Sequence, residues 1–297
     1  MKSSLTLQGT YTALVTPFKA DGSLDMQGWE RLVEAQVAGG VEGIVPCGTT
    51  GESPTLSEAE QGELIAAAVR VAAGRVQVIA GAGSNSTAHA AALAKQAERV
   101  GANGVMVVVP YYNKPTPAGL LAHYTEVSRA VSLPVIAYNV PGRTGLDMGT
   151  DTLMRIAEAC PNVVGVKEAT GNVLRAQDIG VRLGDRLTVL CGDDALTLPM
   201  IAVGARGVIS VSSNVLPRAV SDATRAALAG DFAKAWQLHR KLVPVHDLMF
   251  VESNPAPAKA AMASRGDFGE FLRLPMVPAS EAAKERVISS LRAGGWL

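Results

Sequence analysis

Lys167 is the residue whose type and place most invite chemistry. It ends the apolar run Val163-Val164-Gly165-Val166. A lysine at the end of a buried strand is poorly solvated, which disfavours the ammonium form. A neutral amine is the nucleophile that adds to a carbonyl and forms an imine. The alternative is that Lys167 simply closes its strand and pairs with Glu168, and periodicity weighs the two evenly. Tyr138 ends the preceding apolar run. A phenol beside an imine-forming lysine can relay protons as carbinolamine becomes imine, although a tyrosine packed at a strand end with a satisfied hydroxyl is commoner. Thr49 and Thr50 sit in a glycine-flanked turn, Gly48-Thr49-Thr50-Gly51. Their hydroxyls and backbone N–H groups can hold a carboxylate or pass a proton, or serve ordinary turn chemistry. Arg143 follows Pro141-Gly142. Its guanidinium offers a fork for a carboxylate substrate, or is a surface arginine.

Other chemistries find less support. The four histidines, His89, His123, His239 and His246, fall in helical stretches without metal-ligand spacing, so no metal is expected. There is no G-x-S-x-G elbow and no G-x-x-x-x-G-K-[ST] phosphate loop. Cys47 adjoins Gly48-Thr49, but a buried structural thiol is the better reading.

These residues must be positioned by an alternation of elements. Strands are expected at Tyr11–Val15, Gly43–Pro46, Val76–Ala80, Gly104–Val109, Val135–Tyr138, Val163–Val166, Thr188–Leu190 and Gly207–Val211. Helices are expected near 27–39, 57–73, 86–100, 117–131, 150–159, 172–184, 193–203 and 215–229. Ser57 with Glu60 fits a capping box, and Asp193 or Asp194 could open the helix after the seventh strand. Eight such units predict an α/β fold, a (β/α)8 TIM barrel over residues 1–230, with a C-terminal helical appendage over 231–297. A doubly wound open sheet also alternates β and α. Its dinucleotide fingerprint is only partly matched by Gly81-Ala82-Gly83-Ser84-Asn85-Ser86, which lacks the third glycine.

In a barrel, active sites gather at the C-terminal ends of the strands. Those ends carry Gly48 to Glu52, Pro110-Tyr111-Tyr112-Asn113, Tyr138 to Gly145, Lys167 to Asn172 and Gly192-Asp193-Asp194. Of only five tyrosines, three fall there, so the ends are enriched in functional side chains.

Composition bounds the rest. The 297 residues are 48% apolar and 18% charged, which suits a folded globular chain. Lys+Arg and Asp+Glu are 27 each, so no basic footprint for nucleic acid is expected. Three scattered cysteines, Cys47, Cys160 and Cys191, suit a reducing compartment. No apolar run is long enough for a signal peptide or a membrane span, so a soluble cytoplasmic protein is expected.

The motifs together resemble the dihydrodipicolinate synthase family, within the class I pyruvate-dependent aldolase superfamily. The resemblance is carried by Cys47 to Ser53, Tyr138 to Gly145 and Gly165 to Asn172. Supporting stretches are Pro110 to Asn113, Gly192 to Ala195, Gly207 to Val211 and Phe250 to Pro255. It covers nearly the whole chain in order. It implies that pyruvate condenses with Lys167 as a covalent imine, with no separate cofactor. Tyr138, Thr49 and Tyr112 would form a proton relay, Tyr112 reaching in from a neighbouring subunit. Thr50 would hold the pyruvate carboxylate and Arg143 that of L-aspartate 4-semialdehyde, while Gly192 and Ile209 would line the pocket through backbone atoms. The product would be 4-hydroxy-tetrahydrodipicolinate, on the way to diaminopimelate and lysine. Members are commonly homotetramers, built as dimers of dimers.

The same resemblance places an L-lysine effector site at Ser53, Glu58, Gln61, Asn85, His89 and Tyr111. There the chain departs from the pattern: His89 replaces a glutamate that grips the lysine ammonium, and Glu58 replaces a histidine. A histidine is at best neutral toward a cation, so inhibition by L-lysine is expected to be weak or lost. Two other readings remain. An N-acetylneuraminate or 2-keto-3-deoxysugar lyase shares the lysine and tyrosine but typically lacks an arginine at the place of Arg143. A non-catalytic binding protein on the same barrel would more readily have lost Lys167 or Tyr138.

Overall fold

The computed structural model describes residues 5–297, so the extreme N-terminal residues 1–4 lie outside it. Eight parallel strands close into a barrel in chain order: β1 (Gly9–Ala13), β2 (Gly43–Val45), β3 (Gln77–Gly81), β4 (Gly104–Val108), β5 (Val135–Asn139), β6 (Val163–Glu168), β7 (Thr188–Cys191) and β8 (Gly207–Ser210). β1 pairs with both β2 and β8, which completes the ring. The expected (β/α)8 barrel is therefore the observed fold.

The helices between strands are α1 (Met26–Gly39), α2 (Glu58–Ala72), α3 (Thr87–Arg99), α4 (Pro117–Ala130), the single turn α5 (Pro141–Thr144), α6 (Thr150–Ala159), α7 (Val173–Leu183) and α8 (Thr197–Ala202). After β8 come α9 (Pro217–Leu228), α10 (Phe232–Leu248), α11 (Ala256–Ser264) and α12 (Glu281–Ala293). Local chemistry sets several starts. Asp25 caps α1, and Ser57 and Glu60 form the reciprocal capping box of α2, a motif that removes orphaned N–H groups and contributes about 1 kcal/mol.

Apolar burial has two layers. Inside the barrel, Tyr11, Val45, Ile79, Met106, Ile136 and Leu190 pack with Tyr138 and Ile209. A larger cluster fills the space between the barrel's outer face and the helices, with Trp29 fully enclosed and its indole N–H donating to Leu64 O at 3.1 Å. Parallel strands covered on both faces explain the near-continuous apolar runs.

Most strand boundaries shift by a residue, and three elements differ by more, each for a physical reason. β1 begins at Gly9, because Gly9 pairs with Gly207 so tightly that a side chain on Gly207 would lie 2.0 Å from Gly9 O. Leu14 and Val15 then leave the strand, and Val15 N bonds the Asn214 side chain at 3.1 Å. β6 runs on through Lys167 to Glu168, because Glu168 O still accepts Gly192 N at 2.8 Å. The helix expected over 193–203 is a 3-10 turn, Asp194–Leu196, followed by α8, with Asp193 Oδ1 capping Ala195 N at 3.1 Å.

Candidate active site

β5 and β6 build the centre. Their register sets Tyr138 beside Lys167 and Asn139 beside Glu168. Side chains alternate along a strand, so the first pair enters the barrel and the second turns outward. Lys167 is only 5% exposed, and its Nζ lies 4.3 Å from the centre of the Tyr138 ring. Glu168 is engaged elsewhere: its Oε1 accepts Thr170 N at 2.7 Å and its Oε2 accepts Asn139 Nδ2 at 3.3 Å. Asn139 also donates to Asp147 Oδ1 at 2.9 Å and accepts Met148 N at 3.0 Å. Arg175 in turn pairs with Asp147 at 2.9 Å. This outer network pins the ends of β5 and β6 in register, and so fixes the inner pair.

The turn after β2 supplies the hydroxyls. Gly51 N and Glu52 N close it on Gly48 O and Thr49 O at 3.0 and 3.1 Å, and Thr16 Oγ1 donates to Gly51 O at 2.7 Å. Thr50 Oγ1 accepts Asn254 Nδ2 at 2.9 Å. Arg143 lies on α5, which Pro141 starts and Gly145 ends with φ at 70°. Its guanidinium is exposed and pairs with no carboxylate of the described residues.

Thr49, Thr50, Tyr138, Arg143, Lys167 and Gly192 all line one cavity of about 150 Å³ at the mouth of the barrel, joined by Asp193, Phe250 and Asn254. Ile209 lies in the apolar layer of the barrel interior with Tyr138, outside the cavity lining. Tyr112 is apart as well: it is 88% exposed, with φ at 74°. Ser53, Gln61, His89 and Tyr111 line a second cavity of about 370 Å³, which shares Thr49, Val140 and Arg143 with the first. Glu58 and Asn85 are not in its lining; Glu58 Oε1 lies 3.2 Å from His89 Nε2, and Asn85 O accepts Asn113 Nδ2 at 2.9 Å. The other His89 nitrogen meets Ser84 Oγ at 3.2 Å.

Reasoning from sequence missed two side chains. Asn254 lies beyond the barrel, and its Oδ1 is buried without a partner among the described residues. Its sequence signal is the run Phe250 to Pro255, which carries the family resemblance without assigning Asn254 a role. Asp193 is legible in the sequence only as a helix opener; burial, with Asp194 and Asp247 nearby, pushes its carboxyl above the ordinary value. Cys47 and Cys191 are buried, and burial pushes both thiols up, as for structural cysteines.

A buried lysine at the carboxyl-end mouth of a parallel barrel defines the class, a (β/α)8 lyase of the aldolase type. The chain belongs to the dihydrodipicolinate synthetase family, which it matches over residues 6–293. It is 56% identical to the 4-hydroxy-tetrahydrodipicolinate synthase of Sorangium cellulosum over 291 residues, 98% of this chain and 97% of that one. Among solved structures, dihydrodipicolinate synthase from Aquifex aeolicus is similar with a TM-score of 0.95 and 45% identity, covering 98% of this chain and 99% of that one. The chloride-inhibited enzyme of Acinetobacter baumannii, solved in complex with pyruvate, gives 0.96 and 42%, covering 98% and 100%.

Proposed function

We propose that the chain condenses pyruvate with L-aspartate 4-semialdehyde to 4-hydroxy-tetrahydrodipicolinate, through an imine at Lys167. The observation that carries this reading is one small cavity in which Lys167, Tyr138, the Thr49–Thr50 turn and Arg143 converge. Family membership supports the same activity.

The Lys167 amine adds to the pyruvate ketone, and the carbinolamine loses water to give the imine. Loss of a methyl proton gives the enamine. Its carbon attacks the aldehyde carbon, and the new alkoxide is protonated. The amine of the semialdehyde then attacks the imine carbon, and the C–N bond to Lys167 breaks, which closes the ring and frees the lysine. Tyr138 and Thr49 move the protons, Thr50 holds the pyruvate carboxylate and Arg143 the semialdehyde carboxylate. Gly192 and Ile209 shape the pocket through their backbone atoms. No cofactor is needed, because the imine is itself the electron sink.

Tyr112 completes the relay from a neighbouring subunit. Its near-total exposure and left-handed backbone support that reading, since a residue with a side chain persists in that conformation chiefly where function or its surroundings require it. Leu174 and Val181, 70% and 78% exposed and seven residues apart on α7, offer a further apolar contact for a dimer of dimers. Buried, free thiols favour the cytoplasm. L-lysine inhibits weakly or not at all, because both nitrogens of His89 are engaged and Glu58 faces His89.

The test is a rate assay with pyruvate and L-aspartate 4-semialdehyde, coupled to dihydrodipicolinate reductase and NADPH. N-acetylneuraminate and 2-keto-3-deoxygluconate cleavage run in parallel. Turnover that requires the semialdehyde and falls one to two orders of magnitude in Arg143→Ala supports the synthase; an effect of about that size follows from losing a charge-assisted hydrogen bond. Cleavage of a sugar acid alone would overturn the substrate assignment.

A further inference from the structure

One buried ion pair takes no part in the chemistry above. Glu52 ends the Gly48–Glu52 turn, and Lys259 lies on α11, far along the chain. Both are buried, Lys259 completely, and Lys259 Nζ lies 2.5 Å from Glu52 Oε1. We propose that Lys259 is a positioning residue for pyruvate: acting through Glu52, it holds the turn so that Thr49 and Thr50 face Lys167. The inference rests on the reading of Thr50 as the holder of the pyruvate carboxylate.

The backbone of Glu52 is left-handed, with φ at 55° and ψ at 37°. A residue bearing a Cβ is disfavoured there and persists only where its surroundings over-determine it. Those surroundings are visible. Glu52 Oε1 accepts Lys259 Nζ, and Oε2 accepts Arg273 N at 3.1 Å. Lys259 Nζ also donates to Phe271 O at 2.7 Å and sits 4.4 Å from the centre of the Phe18 ring. Arg273 is itself fixed, donating to Thr55 O at 2.7 Å and to Glu60 Oε1 at 2.5 Å. Asn254, just before α11, grips Thr50 two residues ahead of Glu52. The C-terminal stretch therefore holds the turn at two points, one on each side of Gly51.

Burying an ion pair is costly, and well-packed apolar groups often stabilise a fold as much or more. What a bidentate, hydrogen-bonded carboxylate supplies in addition is one defined backbone geometry. Burial draws the Lys259 ammonium down to about 8, and Glu52 acts against that pull. The contact between the two side chains ties the turn to α11.

The experiment measures the pyruvate concentration that half-saturates borohydride trapping at Lys167, together with steady-state KM values, in the full-length protein. The variants are Lys259→Met, Glu52→Gln and the double variant Lys259→Met/Glu52→Gln. In Lys259→Met the pyruvate half-saturation should rise about tenfold, the loss expected for one charge-assisted bond, with the KM for semialdehyde essentially unchanged. The double variant carries no lone buried charge, so its melting temperature should recover while its pyruvate half-saturation stays raised. Wild-type pyruvate saturation in folded Lys259→Met, or recovery of both quantities in the double variant, would overturn the proposal and leave a purely structural pair. If Lys259→Met does not fold, Glu52→Gln and the double variant decide by the same criterion. A wild type that traps pyruvate without turning over the semialdehyde defeats the synthase reading alone, and the trapping series still decides the role of Lys259. A wild type that traps nothing defeats both.

Discussion

Tyr138 and Lys167 face each other across the β5–β6 ladder, with the lysine nitrogen 4.3 Å from the centre of the phenol ring. That geometry leaves the amine open to the cavity while a proton donor stands beside it. Lys167→Ala should lose both pyruvate trapping and turnover. Tyr138→Phe should retain trapping but fall about a hundredfold in kcat, the usual scale of a lost general acid–base group. Mass spectrometry after borohydride reduction, alongside the coupled assay, separates the two effects.

The outer pair, Asn139 and Glu168, should matter almost as much. Asn139→Leu leaves a buried carboxylate short of a donor and unties Met148. A stability loss of about 1–3 kcal/mol is expected from such an orphaned group. A drop in kcat should accompany it, because the inner pair loses its register. Denaturant melts and kinetics on the same preparation test this, and unchanged kinetics would confine the network to stability.

Tyr112 can be tested in trans. Lys167→Ala and Tyr112→Phe homo-oligomers should both be strongly impaired. Mixed and reassembled, they should regain part of the activity, since a subunit with an intact Lys167 would receive an intact Tyr112 from its neighbour. No gain on mixing would return Tyr112 to its own subunit.

The effector residues give a further expectation. Turnover at millimolar L-lysine should match turnover without it. His89→Glu should restore binding if the missing carboxylate is the cause, readable by calorimetry. Strong inhibition of the unaltered protein would show that the Glu58–His89 arrangement still accepts a cation.

Acid should unfold the protein partly through His123. Burial lowers its imidazole from 6.5 to about 4, so the folded state resists the proton that the unfolded chain accepts. The stabilising contribution is full above about 6.5 and is lost as pH falls toward 4. A shift of this size corresponds to at most about 3 kcal/mol. His123→Asn should flatten the dependence of melting temperature on pH in that window, and an unaltered slope would assign acid sensitivity to other groups.

Much of this was legible in the sequence, for physical reasons. Strands are legible as short continuous apolar runs because both their faces are buried, helices as longer amphipathic stretches, and Ser57 with Glu60 marks a helix start by their spacing. Lys167, Tyr138, the threonine turn and Arg143 stood out because each breaks an apolar or glycine-rich context at a strand end. β1 lies two residues earlier than expected, because Leu14 and Val15 look like strand and Gly9 does not, whereas the glycine pair Gly9 and Gly207 sets the ladder. Lys259 carries no local sign of function, and Asn254 shows only as part of the run Phe250 to Pro255, since their partners, Glu52 and Thr50, are some two hundred residues away. No period or motif within one segment reports such a contact.

The two grips on the threonine turn also order events in time. The turn is made early in synthesis, whereas Asn254 and Lys259 emerge only after all eight strands have left the ribosome. A domain generally folds as a unit once its chain is available, and the mouth of this barrel can be set only when α11 has been made. The residues that complete the mouth are thus among the last to be made, although the turn they hold is among the first.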